Sequence, residues 1–286
     1  MPYEGAIFRP PSEANSLILQ VTVGCSHNKC TFCSMYKEKS FRMKSKEEIF
    51  ADIDTYTNDF YTKAFLADGD AMLLSTDLLI EIIRRVKSKM PKIKRIGIYA
   101  HANNLKTKSV EELKLLHSEG LNIIYVGIES GSDKILEKIN KGITSSEMEK
   151  QLMKVSESGI KLSIMIISGL GGKELTHEHA IESAKLLSKV KPKFLSLLTL
   201  MLDEGTQFYN DVKENKIELL NPEEILLETK LMIENLELKN TIFRVNHASN
   251  YLSLEGVLNK DRERILEEID TAVKDKDYIP EYFRRL

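Results

Sequence analysis

Three cysteines, Cys25, Cys30 and Cys33, are the only ones in the 286-residue chain, and they fall in one stretch with the spacing C-x4-C-x2-C. They follow directly on the apolar run Leu17 to Val23. Thiolates are soft ligands that select iron-sulfur clusters or zinc, and an odd number of them argues against a disulfide framework. A cubane cluster held by three protein thiolates keeps one iron open to a reactant, whereas an electron-transfer cluster normally has four cysteines. Zinc is the alternative, with His27 as a fourth ligand in a Cys3His set. Against zinc, His27 lies only two residues from Cys25, where simultaneous ligation is strained, and structural zinc sites usually draw ligand pairs from two separate segments.

Such a loop needs a scaffold. Short apolar runs near residues 64–67, 95–100, 122–128, 161–167, 194–200 and 241–246 read as strands after the first at 17–23. Helical patterns fill the gaps, with capping boxes at Ser45 to Glu48 and Ser109 to Glu112, and further starts at Thr144, Thr176 and Asn221-Pro222. Strands alternating with helices predict βα units, parallel pairing and right-handed crossovers. The expected fold is α/β, a partial (β/α)6-type TIM barrel of parallel strands with a C-terminal extension. Residues 1–16, with Pro10-Pro11, are expected to lie on the surface as an extension. Residues 17–205 form the barrel core, and 206–286 add a strand and two helices to the same domain.

Ligands of parallel barrels gather at the carboxyl ends of the strands, and polar groups and glycines stand at nearly every such end here. Asp68-Gly69-Asp70 follows the second strand and His101 to Asn104 the third. Glu129-Ser130-Gly131 follows the fourth, and Ser168-Gly169-Leu170-Gly171-Gly172 the fifth. Leu200 and Met201 close the sixth. The glycine-rich loop lacks the Lys-Ser/Thr of a Walker sequence, so it is a weak phosphate signal. His247, Ser249, Asn250 and Tyr251, after the last strand, form the densest polar cluster outside the cysteine loop and are expected to face substrate. Lys37, Lys39, Arg42, Lys44 and Lys46 read as a solvated face.

The cysteine loop with Phe32 immediately before Cys33, and the segment Val126-Gly127-Ile128-Glu129-Ser130-Gly131-Ser132 continuing to Lys141-Gly142, resemble the radical S-adenosylmethionine (SAM) superfamily. The second segment is closest to the branch that includes the tRNA methylthiotransferases and Elongator-type enzymes. The usual spacing is C-x3-C-x2-C, so this chain carries one extra residue between Cys25 and Cys30. The resemblance covers residues 15–205 and implies a 4Fe-4S cluster on Cys25, Cys30 and Cys33, with SAM as second cofactor. It implies that Asp68-Gly69-Asp70 receives the methionine amino group and that Glu129, with Ser130 beside it, accepts from the ribose. It implies that Gly169 and Gly171, with Leu200 and Met201, flank adenine, while Phe32 belongs to the cluster loop. The implied reaction is reductive cleavage of SAM to a 5′-deoxyadenosyl radical that abstracts hydrogen from substrate; His247, Asn250 and Tyr251, from their place after the last strand, are expected to be its substrate-side catalytic residues. A non-catalytic iron-sulfur or zinc-binding barrel is the alternative.

Composition sets the remaining bounds. Hydrophobic residues are 42%, charged residues 29% and the net charge −2, a balance with no strong nucleic-acid signal. No apolar stretch approaches the ~20 residues needed to span a bilayer, and the amino terminus lacks a secretory pattern. A cytoplasmic enzyme reduced by a flavodoxin or ferredoxin is expected.

Overall fold

The computed structural model describes residues 3–56 and 60–284. In chain order the strands and helices are β1 (Leu17–Gln20), β2 (Thr22–Val23), β3 (Arg42–Met43), α1 (Lys46–Asp54), β4 (Lys63–Ala67), α2 (Thr76–Lys89), β5 (Arg95–Tyr99), α3 (Val110–Glu119) and β6 (Leu121–Glu129). They continue with α4 (Asp133–Lys138), α5 (Ser145–Ser158), β7 (Lys161–Ser168), α6 (Gly172–Val190), β8 (Phe194–Thr199), α7 (Gln207–Lys213), α8 (Pro222–Glu234), β9 (Thr241–Arg244), β10 (Glu255–Leu258) and α9 (Arg262–Asp275). The main sheet has eight strands in the order β1-β4-β5-β6-β7-β8-β9-β10. The α/β class with a mostly parallel sheet is the expected one. Two compact units divide the chain: Met1–Asn28, Met35–Val126 and Lys150–Leu162 make the first, and Lys29–Ser34, Gly127–Glu149 and Ser163–Leu286 the second.

In the first unit β1, β4, β5 and β6 pair in parallel. Ala64, Phe65, Leu66 and Ala67 are all fully buried, the continuous apolar run of a parallel strand covered on both faces. Helix α2 presents Leu79, Ile80, Ile82, Ile83 and Val86 as its buried stripe. The capping boxes at Ser45 and Ser109 are present, and Gly120 ends α3 at φ +116°, a conformation that costs glycine little.

The expected strand 17–23 is broken at Val21. β1 pairs with β4, while β2 turns away to pair antiparallel with β3. The Val21 amide bonds Ala67 O at 2.6 Å, and Lys44 N–H bonds Val21 O at 3.1 Å. The return arm of the cysteine loop is thereby fastened to its outgoing arm. The basic residues of that arm are not uniformly solvated: Lys39 meets Asp68 at 2.8 Å and buried Lys44 meets Asp52 at 2.9 Å.

Residues 3–16 are mostly exposed or half-buried, and they are anchored through buried Pro10, Glu13 and Ser16. Pro11 starts a single 3-10 turn, and Glu13 in it is fully buried, accepting from Ser16 Oγ, Arg95 Nη2 and Tyr125 Oη.

In the second unit β7, β8 and β9 run parallel. Helix α6 begins at Gly172, four residues before the expected Thr176, because Gly172 N–H bonds Gly169 O and Lys173 N–H bonds Glu218 O without a side-chain cap. A strand unanticipated from sequence, β10, pairs antiparallel with β9. It is short and carries Gly256, so its pattern reads as loop. Its Val257 N–H goes to Asp261 Oδ2 at 2.6 Å, and its Glu255 carbonyl accepts from Arg264 Nη2 at 2.7 Å.

Replacing Glu13 by Ala removes the buried acceptor shared by Ser16, Arg95 and Tyr125, leaving the tyrosine hydroxyl with Ser12 and the part-exposed arginine to solvent, and should lower unfolding free energy by about 1–3 kcal/mol. Urea denaturation of the apoprotein reads this directly. A loss below about 0.5 kcal/mol, typical of a surface site, contradicts it.

Candidate functional site

In the first unit, the segments after β1 and β4 are stitched through Asp68. Its Oδ2 accepts from the Gly24 amide at 3.0 Å, Gln20 Nε2 at 2.8 Å and Lys39 Nζ at 2.8 Å. Asp68 N–H bonds Thr22 O at 3.2 Å, and Gly69 N–H bonds Gly24 O at 3.1 Å. Gly24 turns at φ +77°, delivering Cys25. A Cβ at Gly69 would lie 2.8 Å from Tyr36 Cε2 and 3.2 Å from Cys25 Cβ, so only glycine fits beside the first cysteine. Asp68 is fully buried, and its Oδ1 has no hydrogen-bond partner among the described residues.

Asp70 is also fully buried. Its Oδ1 accepts the His101 amide at 3.0 Å, and its Oδ2 accepts from Ser26 Oγ and Asn104 Nδ2. Burial pushes its carboxyl above the usual range in spite of those donors. The rings of His27 and His101 stack with centroids 5.0 Å apart. Both carboxylates of the Asp-Gly-Asp segment are therefore occupied in holding the neighbouring loops, apart from the one oxygen of Asp68. Gln20, Lys39 and Asn104 were not foreseen as site residues, and only Asn104, at the end of β5, had a positional signal.

In the second unit, Thr31 N–H bonds Ile139 O and Thr31 O accepts from Phe208 N–H, both at 3.0 Å. Asn140 Nδ2 reaches Lys29 O at 3.3 Å, and Ser34 bonds Asp203. Phe32 packs on a core of Ile135, Ile139, Leu170 and Phe208, which Leu200 also joins. The backbone around Cys30 and Cys33 is thus held from three sides. All three cysteines are part-exposed. Among the described residues no three Cys, His, Asp or Glu side chains stand as a ready-made metal cage. What the loop offers is its donor set, three soft thiols on an anchored backbone, which suits an iron-sulfur cluster.

Glu129 ends β6 at φ +65°, a left-handed conformation uncommon for a residue with a side chain. A Cβ at Gly127 would lie 2.2 Å from Glu129 Oε1, so the carboxylate folds back over this glycine and any side chain there would have to displace it. Lys141 Nζ, nearly buried, meets Oε1 at 2.9 Å, and Oε2 takes no donor among the described residues. Lys141 was legible only through its place in the resembling segment. Ser130 Oγ is engaged by His179 and by the Ser132 amide. Gly169 turns at φ +82°, and a Cβ at Gly171 would touch Ile135 and Leu175, which makes Gly171 a packing position.

After β9, Asn250 is buried, giving Nδ2–H to Leu197 O and accepting from Thr199 Oγ1, both at 3.0 Å. Tyr251 is buried too. Its hydroxyl donates to Glu281 and accepts from Arg284, whose guanidinium lies 4.1 Å above its ring. Burial, with the Glu281 bond, pushes the phenol up to about 12. Arg284 further donates to Leu200 O at 2.8 Å and Ser249 O at 2.7 Å. Asn250 and Tyr251 have their polar groups committed to the protein itself. His247 is half-buried, its Nδ1 accepting from Ser249 N–H at 3.1 Å.

The family model described as the radical SAM superfamily matches residues 19–187. The chain belongs to this superfamily. Its cofactors are accordingly the 4Fe-4S cluster and SAM. The chain is 26% identical over 200 residues to the heme chaperone HemW of Bacillus subtilis (strain 168), covering 68% of this chain and 51% of that protein. It is also 26% identical to the ribosomal protein uS12 methylthiotransferase RimO of Thermotoga petrophila, covering 67% and 46%. It thus spans about half the length of these curated relatives. Among solved structures, methylornithine synthase (PylB) superposes with TM-score 0.54 at 18% identity, over 93% of this chain and 82% of that one. The archaeal Methanocaldococcus infernus Elp3 gives 0.53 at 14%, over 81% and 58%. At such identities the likeness is one of fold. Among the described residues no helix is long and apolar enough to cross a membrane.

The Lys141–Glu129 pair should show coupling of about 1–3 kcal/mol in a double-mutant cycle of Lys141→Met and Glu129→Gln followed by denaturation. Additive effects would exclude the pair as an energetic unit. Burial lowers the His247 pKa, so its folded value lies below the ordinary ~6.5. The unfolded chain then binds more protons near that pH, and the stability contributed by His247 is present above ~6.5 and lost as pH falls through the folded value. NMR titration of the His247 ring should give a midpoint under ~6.5, and one at or above it contradicts the burial argument.

Proposed function

We propose that this chain is the catalytic core of a radical SAM enzyme, with Cys25, Cys30 and Cys33 as cluster ligands. The observation that carries the reading is the three-thiol loop after β1, within a superfamily match that runs on through the β6 segment bearing Glu129. When bound, the cluster supplies one electron that cleaves SAM to methionine and a 5′-deoxyadenosyl radical, which takes hydrogen from substrate. The protein's own part is to orient the reactants and keep water out.

Asp68 keeps Oδ1 as an acceptor suited to the methionine ammonium, with Gly69 and Asp70 shaping the turn. Glu129, neutralised on one oxygen by Lys141, has Oε2 to accept from ribose hydroxyls, a charged acceptor well matched to a vicinal diol. Ser130 supports Glu129 rather than touching the cofactor. The Gly169 turn and the Leu200-Met201 segment offer backbone and apolar surface to adenine, with Gly171 and Phe32 packing behind them. His247 is the substrate-side group of its cluster, and Asn250 and Tyr251 fix the loop that presents it. The electron donor is a small reductant such as a flavodoxin or ferredoxin, and the reaction takes place in the cytoplasm.

A cofactor-binding role without turnover is the second reading, favoured by the similarity to the heme chaperone HemW. Anaerobic reconstitution separates the two. The enzyme reading expects about four irons per chain, lost in Cys30→Ala, and 5′-deoxyadenosine formed from SAM under dithionite. Glu129→Gln should weaken SAM binding about tenfold or more with iron unchanged. SAM bound but never cleaved would select the carrier reading, and stoichiometric zinc in place of iron would exclude both.

A further inference from the structure

A cluster of buried polar groups lies between the turn after β6 and the turn after β7, and the chemistry above makes no use of its His179 and Glu228. Ser130 Oγ accepts the Ser132 amide at 3.0 Å and meets His179 Nδ1 of α6 at 2.8 Å. His179 is fully buried, and its Nε2 stands 3.9 Å from Glu228 Oε1 of α8, beyond hydrogen-bond distance and without a hydrogen-bond partner among the described residues. Glu228 is 2% exposed. Its Oε1 accepts the Gly169 amide at 2.7 Å, and its Oε2 accepts Thr176 Oγ1–H at 2.7 Å. Helix α6 holds the β6 turn at two more points, through Ser183 to the Gly131 amide at 2.8 Å and through Glu178 to Ser132 at 2.7 Å.

Helix α8 also meets Gly169 with an apolar group. A Cβ at Gly169 would lie 2.6 Å from Ile225 Cδ1, and Ile225 precedes Glu228 by one helical turn, on the same face. The Gly169 turn, with its positive φ, is therefore pressed by Ile225 and drawn by Glu228. A carboxylate so buried, with no lysine or arginine partner among the described residues, is costly, and an aliphatic residue would fill an ordinary helix-packing position. What the acid adds is two directed bonds, one of them to the amide of the turn itself.

We propose that Glu228, acting with His179 and Ser130, is a positioning residue that sets the Gly169 turn for the adenosyl part of SAM and locks it to the Glu129 turn. It lies outside the superfamily match at 19–187, so this function falls to a helix beyond the matched segment. The inference rests on the radical SAM reading above.

The test is calorimetric titration of the cluster-reconstituted protein with S-adenosylhomocysteine, which needs neither turnover nor substrate. Glu228→Gln presents an amide where two donors converge and should raise Kd about tenfold with iron content unchanged, the scale of one charge-assisted hydrogen bond. Thr176→Val, which removes one donor from Oε2, should raise it about threefold. Leu226→Ala, a buried position on the same helix, should lower the melting temperature without changing Kd. Equal Kd values for wild type, Glu228→Gln and Thr176→Val would overturn the positioning role and leave the enzyme reading standing. Should Glu228→Gln fail to fold, Thr176→Val and His179→Gln decide by the same measurement, and an unchanged Kd in both overturns the proposal. A wild type with a full cluster that does not bind S-adenosylhomocysteine would sink the parent reading and the inference with it.

Discussion

Asp68 accepts the amide proton of Gly24 in full burial, and the loop that begins with Cys25 hangs on that bond. A parallel strand ends by releasing its chain into a long crossover, so the first residues past the strand have no ladder to hold them. A buried carboxylate can replace that ladder, because each oxygen accepts more than one donor and such bonds are about twice as strong as neutral ones. Asp70 repeats the device toward the His101 amide, and Glu228 repeats it toward Gly169. Three acids thus do for the loops what strand pairing does for the sheet.

The device has a cost that explains the glycines around it. Two peptide segments can be brought to a common acceptor only if no Cβ intervenes, and the missing side chains at Gly69, Gly127 and Gly169 leave the space taken by Tyr36, the Glu129 carboxylate and Ile225. Glu129 itself keeps a left-handed backbone. Such strain persists only where the surroundings over-determine it, and the buried Lys141 together with the α6 side chains on residues 130–132 supplies that determination.

What the sequence made legible was local. Ser45, Ser109 and Asn221 announce helices because a cap and its partner are three residues apart, and the strands announce themselves as apolar runs. The strand ends also pointed to Asp68, Glu129 and Gly169. Their partners did not show, since Gly24 and Asp68 are 44 residues apart and Gly169 and Glu228 are 59 apart. Nothing near Glu13 in sequence reveals Tyr125 and Arg95 as its donors. The hydrogen-bond partners of Asn250 and Tyr251, which are Leu197, Thr199, Glu281 and Arg284, did not show in the sequence for the same reason.

The last strand of the sheet order, β10, has Val257 N–H tied to Asp261 and the Glu255 carbonyl tied to Arg264. Those are main-chain groups that an edge strand would otherwise offer to an incoming peptide. With its donor and acceptor consumed by the entry to α9, this margin cannot template a further strand, either from a polypeptide seeking β-augmentation or from a misfolded copy seeking a cross-β contact. Recognition of a protein client by this molecule would therefore have to proceed through side chains and loops rather than through extension of its sheet at β10.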